Sequence, residues 1–494
     1  MKLLDFKTYL RFFIPVVGGA CGGGAIASNY WIFLMPLSLS ILWGGFEKNY
    51  SNFLWGFSFI FISHSWLFHL HPLTWLGFSW ISSLIISLTI WICCSFLGGF
   101  LVLLWGAIGK KYIIKKCFLY KPSYQLLCKV LLQASLWAFG EQVLSQTSFF
   151  WIGVSESLIP GDLYLAGLSR WFGSIGVCLC QLMLGFWIFL IFEQWKRKMN
   201  FRNLIINGIF VITLLHIIGT LLILPNERNT LSPIAIWQTN LPTREKLLVN
   251  NSRLRKDFII EQDKAVSNQA NFLVAPEGIL HEGFNLEFKS KIDTLIGGFR
   301  KDNGVLKSSL LAFNLGDTTY SDFIDKYRLV PIGEKIPEFI KSFATGLSAV
   351  GGIESGTQSR FFKWNNHPPL AVAICYEISD GLKIRDAIRE GAQMIISIAN
   401  LDPYPKKIQN QFLSIARMRS IENNKDTLLV ANTGPSGLLT NNGRVDELAS
   451  SNQKLQKILY ANFNNRNTFY NKYGNAPIIL FIFTLFAISV QKSK

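Results

Sequence analysis

Residues 371–377 read Ala-Val-Ala-Ile-Cys-Tyr-Glu, an apolar run that stops abruptly at a thiol followed by a carboxylate. The run predicts a buried strand, and a strand end delivers the next side chain to the mouth of a site. Of the eight cysteines in the sequence, only Cys375 lies outside the strongly apolar segments. The position indicates a nucleophile. The alternative is an inert core thiol, because unpaired cysteine is among the most buried residue types.

Predicted strands and helices alternate along the chain on both sides of this run, and this alternation predicts an α/β fold. Asn442-Gly443 near its end is typical of a hairpin turn. The predicted strands are 233–239, 271–275, 308–313, 370–374, 394–399 and 427–431, and the predicted helices are 243–267, 381–390 and 406–424.

The rest of the chain is much more apolar. Half of the 494 residues are hydrophobic and only 16% are charged, and the apolar residues are concentrated in 10–225 and 477–490. A helix needs about 20 apolar residues to cross a bilayer. The sequence therefore predicts a multi-pass α-helical membrane bundle of about eight spans. The candidate spans are 11–28, 31–46, 53–70, 80–107, 125–144, 172–193, 204–224 and 476–490.

These patterns divide the chain into a transmembrane bundle at 1–228, an α/β domain at 229–470, and a last helix with its tail at 471–494. Lysine and arginine in short loops mark the cytoplasmic side of a membrane. Counting spans between the basic clusters places both termini in the cytoplasm and the α/β domain outside it. The clusters are Lys2/Lys7/Arg11, Lys110/Lys111/Lys115/Lys116/Lys121, Lys196/Arg197/Lys198/Arg202 and Lys492/Lys494.

The formal net charge of +17 would by itself suggest a nucleic-acid partner. Much of that charge lies in the loops between spans, where basic residues orient the chain and contact anionic lipid. The basic residues also form no stripe interleaved with aromatic ones, so no nucleic-acid binding is expected.

Three ionisable side chains of the α/β domain lie at the ends of predicted strands or in the segments between them. Glu277 follows the predicted strand at 271–275. Lys326 lies between the predicted strands at 308–313 and 370–374, and Cys375 comes directly after the second of these. A carboxylate, an ammonium and a thiol supply the base, the oxyanion partner and the nucleophile that acyl transfer needs. Taken singly, Glu277 also fits a helix start and Lys326 a solvated surface charge.

The ordered set resembles a known family. Pro276-Glu277, then Lys326 with Leu329-Val330-Pro331-Ile332-Gly333-Glu334, then Cys375-Tyr376-Glu377 is similar to the Glu-Lys-Cys signature of the nitrilase, or carbon–nitrogen hydrolase, superfamily. With the membrane region added, the chain resembles the apolipoprotein N-acyltransferases of the bacterial inner membrane. The resemblance implies an αββα sandwich for the soluble domain, placed on the periplasmic side. Gly297-Gly298, Trp137 and Glu141 also resemble the family pattern.

The resemblance implies roles for the site residues. Glu277 would be the general base, Cys375 the nucleophile, and Lys326 the oxyanion partner together with the backbone N–H of Tyr376. Glu334 would position Lys326, and Glu377 would have a similar positioning role. The alternative for both residues is a solvated surface carboxylate. No cofactor and no metal are implied.

The implied reaction uses two lipid partners. A phospholipid would donate an acyl chain to Cys375 as a thioester, and the α-amine of a diacylglyceryl apolipoprotein would accept it. Residues 339–343 would form either a lid that dips into the membrane or an ordinary surface helix.

The chain departs from the family pattern in two places. Ala399-Asn400-Leu401-Asp402-Pro403-Tyr404 stands where a Ser-Asn-acidic-x-Trp-Phe segment is usual, and Leu247 stands near the place of a common tryptophan. Both departures bear on substrate contacts.

Two other functions stay open from the sequence. A membrane-anchored amidase or nitrilase would use the same three residues but transfer the acyl group to water. A transporter or receptor with an exported binding domain would need no such chemistry. A Cys/His protease or a metal site is poorly supported, because His281 and His367 have no partner at a suitable spacing.

Overall fold

The structure is a computed structural model that describes residues 6–28, 31–74, 78–114, 123–148, 152–224, 231–246, 251–330, 334, 352–402 and 404–491. The N-terminal part is a bundle of helices. It comprises α1 Phe6–Ala25, α2 Leu34–Gly45, α3 Asn49–Ser63, α4 Trp80–Ile108, α5 Tyr124–Ser145, the short α6 Leu163–Ala166, α7 Ser169–Lys196 and α8 Arg202–Ile223.

The helices lie where the sequence predicts spans, with one difference. The predicted span at 53–70 is not one helix: α3 ends at Ser63 and a 3-10 segment, Ser65–Leu70, follows it. At His64 the backbone leaves helical geometry, with φ −101° and ψ 18°. The apolar composition of 53–70 therefore predicted a longer helix than the chain forms.

Within the described residues, three helices are long and apolar enough to cross a membrane: Trp80–Ile113, Ser169–Lys196 and Arg202–Ile223. Leu34–Gly45 and Ala476–Ala487 are apolar but shorter. Large apolar side chains such as Phe210 and Leu221 are exposed on the outside of the bundle. Such a surface is stable in contact with lipid and costly in water. The total of about eight spans stays a prediction.

The α/β part contains two sheets, each with six strands among the described residues. One has the order β12-β1-β2-β3-β4-β5 and the other β11-β10-β9-β8-β7-β6. The strands are β1 Leu231–Gln238, β2 Phe272–Val274, β3 Thr294–Asp302, β4 Val305–Phe313, β5 Asp322–Asp325, β6 Phe361–Phe362, β7 Leu370–Ile374, β8 Met394–Ala399, β9 Thr427–Ala431, β10 Gly437–Leu439, β11 Val445–Leu448 and β12 Leu455–Asn462.

The two sheets pack face to face, because Ile236 and Val274 of one and Val372 and Ile396 of the other share a buried core. Helices cover the outer faces. The residue ranges are α9 Thr243–Lys246, α10 Asn251–Ser267, α11 Gly381–Arg389 and α12 Lys406–Asn423. Phe258 of α10 stacks on the ring of Trp237. This is the helix–sheet–sheet–helix sandwich that the family resemblance implies.

Strand direction positions the site. The strands β7, β8 and β9 run parallel, so the residues that follow them meet at one edge of their sheet. Cys375 follows β7 and Asn400 follows β8. In the other sheet β1, β2 and β3 also run parallel, and Glu277 lies shortly after β2.

The bundle and the sandwich share one hydrophobic core. Phe412 and Ile415 of α12 belong to the same buried cluster as Trp137 of α5 and Leu179 of α7. The chain then returns through α13 Phe469–Tyr473 to α14 Ala476–Gln491. Asn475 Nδ2 donates a hydrogen bond to Gln142 Oε1 at 2.7 Å, which joins this return to α5.

Candidate active site

Cys375 lies on a sharp turn at the end of β7. Its φ of +58° is in the left-handed region, which costs a non-glycine residue on the order of 1 kcal/mol or more. The 3-10 segment Cys375–Ser379 starts at this residue. The carboxylate of Glu377 stabilises the turn by accepting a hydrogen bond from the N–H of Ile374 at 2.9 Å. The strained backbone therefore presents the thiol at the sheet edge.

Lys326 follows β5 and has a buried side chain, with only 1% exposed. Its Nζ donates to Glu277 Oε1 at 2.7 Å and to Glu334 Oε1 at 2.7 Å. Glu334 also accepts a hydrogen bond from the N–H of Val330 at 2.9 Å. Glu334 is therefore an ion-pair partner of the ammonium, and the alternative of a solvated surface carboxylate is wrong for it.

The carboxylate of Glu277 is oriented from both sides. Oε1 faces Lys326, and Oε2 accepts a hydrogen bond from the N–H of Asn400 at 2.9 Å. The strand β3 approaches this segment so closely that a Cβ on Gly297 would overlap the backbone at Pro276 and Glu277. Glycine is therefore required at 297 for the carboxylate to reach its place.

Opposed effects set the protonation of the thiol. Burial raises the pKa of Cys375 far above its ordinary value, and the negative charge of Glu277 raises it further, while Lys326 and the backbone N–H of Tyr376 lower it. At neutral pH the thiol is protonated and needs a base. Burial by itself would lower the pKa of Lys326, but the charges of Glu277 and Glu334 raise it well above its ordinary value. The ammonium is therefore a permanent positive charge.

Glu377 is a buried acceptor. Its two oxygens accept hydrogen bonds from the N–H of Ile374 at 2.9 Å, of Tyr327 at 2.7 Å and of Arg328 at 3.2 Å. Arg360 Nη1 donates to it at 2.8 Å, and neither side chain of this pair is exposed. The surface alternative is therefore wrong for Glu377 as well.

Tyr404 is a further candidate site residue, which the sequence marked only as part of the altered segment 399–404. Burial raises the pKa of its phenol, and so does the charge of Cys375. Its ring packs edge-on against Trp66 of the bundle, with centroids 5.8 Å apart. The departure of residues 399–404 from the family pattern was the signal that could have identified it.

Some predicted features fall outside the described residues. These are Leu247, the Pro331-Ile332-Gly333 part of the Lys326 motif, and the lid segment at 339–343.

One histidine of the sandwich, His367, lies next to a carboxylate and an aromatic ring. His367 Nε2 lies 2.7 Å from Asp293 Oδ2, and its ring stacks on Trp364. Across the part of the chain that the structure describes, no group of three or more His, Cys, Asp or Glu side chains could hold a metal ion.

Relatives of the chain share both its membrane and its soluble part. No protein-family model matches it. A protein named apolipoprotein N-acyltransferase from Prochlorococcus marinus subsp. pastoris is 53% identical over 99% of this chain and 98% of its own length. The chain belongs to the apolipoprotein N-acyltransferase family. A member from Parasynechococcus marenigrum is 36% identical and covers 88% of this chain and 90% of its own length. The resemblance seen in the sequence motifs is thus confirmed.

Solved structures of smaller proteins were also found. An amidase of the nitrilase superfamily from Nesterenkonia has a TM-score of 0.38 at 13% identity, and covers 51% of this chain and 97% of its own. A nitrilase-superfamily protein from Saccharomyces cerevisiae has a TM-score of 0.36 at 16% identity, and covers 47% of this chain and 90% of its own.

Proposed function

We propose that the protein is an N-acyltransferase of lipoprotein maturation. In this proposal a phospholipid donates the acyl chain, Cys375 carries it as a thioester, and the α-amine of an N-terminal diacylglyceryl-cysteine accepts it. The observation that carries the proposal is the ion pair of Lys326 with Glu277, on a stretch of chain that Glu377 ties by hydrogen bonds to the strained turn at Cys375. The names of the relatives support the lipoprotein acceptor.

In the first half-reaction Glu277 takes the proton of the Cys375 thiol, and the sulfur attacks the ester carbonyl carbon of the phospholipid. The oxyanion that forms is stabilised by the ammonium of Lys326 and the backbone N–H of Tyr376. The C–O bond then breaks. The departing alkoxide takes the proton back from Glu277, which leaves a lysophospholipid and a thioester.

In the second half-reaction the neutral α-amine of the lipoprotein attacks the thioester carbonyl. Glu277 accepts a proton from the attacking nitrogen, and the C–S bond breaks. The thiolate recovers the proton from Glu277, and the product is an amide. Glu334 keeps Lys326 in place through both steps, because it forms the second ion pair of that ammonium.

Access of lipid from the membrane is part of this proposal, and the contact of Tyr404 with the bundle supports it. Trp66 of the bundle contacts Tyr404, which lies four residues after Asn400, the residue whose N–H donates to Glu277, so the site is close to an apolar part of the bundle. The cluster around Trp66 contains Leu67, Ile408 and the partly buried Trp91. Aromatic and aliphatic side chains of this kind suit acyl chains better than a soluble amide substrate.

The membrane arrangement belongs to the same proposal. The bundle would cross the bacterial inner membrane about eight times, with the sandwich on the periplasmic side and both termini in the cytoplasm. Labelling of single cysteines placed in the sandwich and at the termini of a cysteine-free variant, in intact cells and then in lysed cells, tests it. Labelling of the sandwich only after lysis would contradict the orientation.

The central experiment is a trapping assay. Purified protein is incubated with a phospholipid that carries a labelled acyl chain, and the adduct is located by mass spectrometry. We expect a hydroxylamine-sensitive acyl group on Cys375, none in Cys375→Ala, and an unchanged adduct in the matched control Cys180→Ala from α7. Adding a lipopeptide amine should discharge the adduct as an amide. Discharge to water alone would favour the amidase alternative, and no adduct would overturn the mechanism.

A further inference from the structure

Arg360 is a fully buried cation next to the proposed site. It lies just before β6, and its side chain has no exposed surface. Nη1 donates to Glu377 Oε2 at 2.8 Å, and Nη2 donates to the backbone oxygen of Asp325 at 2.9 Å and also to that of Thr357. Its guanidinium carbon lies 4.8 Å from the ring centroid of Tyr327. All these partners are side-chain or backbone groups of the protein itself.

The pair formed by Arg360 and Glu377 joins two stretches of chain. One stretch is 325–328, held through the carbonyl of Asp325 and through hydrogen bonds from the N–H groups of 327 and 328 to Glu377. The other is the turn at 374–377, held through the N–H of residue 374. The first stretch carries Lys326 and the second carries Cys375. The ion pair therefore lies at the junction between the two reactive side chains.

The chemistry of arginine suits this junction. A planar guanidinium can donate to a carboxylate and to two carbonyl oxygens at once, whereas a lysine ammonium is a compact point charge on a flexible stem. A buried ion pair is weak evidence for stability, since removing two charges from water offsets much of their attraction. The pair does, however, fix the relative geometry of the groups that it binds.

We propose that Arg360 is a positioning residue that acts through Glu377 to fix the ammonium of Lys326 relative to the sulfur of Cys375. The inference rests on the proposed function only in taking Cys375 as the reactive sulfur. It adds that the distance between the ammonium of Lys326 and the thiol of Cys375 depends on a third charge, that of Arg360.

The consequence concerns the reactivity of the thiol. Lys326 is the positive charge that opposes the effect of the nearby carboxylates on the protonation of Cys375. If the stretch 325–328 loses its anchor, the ammonium of Lys326 moves relative to the sulfur. The pKa of the thiol then rises, and a smaller fraction of it is ionised at a given pH. A residue with only a structural role would lower the melting temperature without this change.

The test is the rate of alkylation of Cys375 by iodoacetamide in the full-length protein, followed by mass spectrometry from pH 6 to pH 10. We expect Arg360→Met to slow alkylation at pH 8 by about tenfold, which corresponds to about one unit of thiol pKa. We expect Arg360→Lys to be intermediate, because it keeps a charge near Glu377 and loses the bonds to the carbonyls. Glu377→Gln should shift the profile in the same direction, and it serves if Arg360→Met does not fold.

The matched control is Arg417→Lys. Arg417 is also buried in the sandwich, but its Nε donates to the carbonyl of Gly443, away from the stretches 325–328 and 374–377. Its alkylation profile should match that of the wild type. A lower melting temperature for Arg360→Met with an unchanged profile would overturn the inference. Failure of the wild type to form an acyl adduct would instead overturn the proposed function, and the alkylation profile would still decide the role of Arg360.

Discussion

The carboxylate of Glu277 lies 2.7 Å from the ammonium of Lys326, and its second oxygen accepts a hydrogen bond from the backbone of Asn400. The two partners come from different sheets of the sandwich. The proposed base is therefore fixed in orientation before any substrate arrives, and such preorganisation is a principal source of catalytic rate.

Glu277→Gln should separate two effects of this carboxylate. Loss of its negative charge lowers the pKa of the Cys375 thiol, since that charge raises it. Alkylation of Cys375 at pH 7 to 8 should therefore become faster. Acyl transfer should fall by roughly 10² to 10⁴-fold, because the base is gone. The control is Glu282→Gln, whose side chain is partly exposed and pairs with Lys301. A parallel fall of both rates would contradict the assignment of the base.

Tyr404→Ala should weaken the use of lipid substrates. The change removes the edge-on contact with Trp66, worth about 0.5–1.5 kcal/mol beyond its buried area. We expect a higher KM for the phospholipid and a modest change in kcat. Tyr404→Phe should keep most of the activity, because it keeps the ring. Tyr460→Ala, at an exposed tyrosine of β12, is the control. Equal loss in the Phe and Ala variants would show that the hydroxyl, and not the packing, matters.

Arg419→Met should destabilise the protein more than Glu156→Gln does. Arg419 of α12 pairs with Glu156 of the bundle at 2.9 Å and with Glu422 at 2.8 Å, and all three side chains are buried. Its removal leaves two buried carboxylates uncompensated, at a cost of about 3–5 kcal/mol. Glu156→Gln leaves the pair with Glu422 intact. Melting temperatures in detergent, measured by fluorescence, give the order. The reverse order would contradict this account of the interface.

Lys425 should make the free energy of unfolding depend on pH in the alkaline range. Burial lowers its pKa to about 8, and its Nζ donates to the backbone carbonyls of Asn464 and Arg466. Below pH 8 both the folded and the unfolded chain hold the proton. Between pH 8 and about 10.4 only the unfolded chain holds it, so the free energy of unfolding rises with pH by up to about 3 kcal/mol. Lys425→Met should lack this rise when melting is followed from pH 7 to pH 10. An identical pH dependence in both proteins would contradict the shift.

Sequence patterns predicted the parts of the site that depend on local structure. Cys375 and Glu277 follow strands, and strand ends can be read from composition. Their convergence with Lys326 came from the family resemblance, because no local pattern tells which strand ends meet. The hairpin at Asn442-Gly443 was also predicted, and β10 and β11 pair antiparallel around it.

Other features depend on partners that are distant in the chain. Arg360 has no local signal, because its carboxylate partner lies 17 residues further on in a buried turn. The tyrosine at 404 gains its surroundings from a tryptophan of the bundle. The end of α3 at Ser63 was missed because apolar composition continues beyond it into the 3-10 segment. Hydrophobicity reports burial or lipid contact, and not the hydrogen-bond pattern of the backbone.

The core shared by Phe412 of α12 and Trp137 of α5 has a practical consequence. A truncated protein that keeps only the sandwich would expose one flank of α12 to water, and it should aggregate when expressed alone. Loss of activity in such a fragment would then say nothing about the chemistry of its thiol. Biochemical dissection of this enzyme therefore calls for point substitutions in the intact polypeptide held in detergent or nanodiscs.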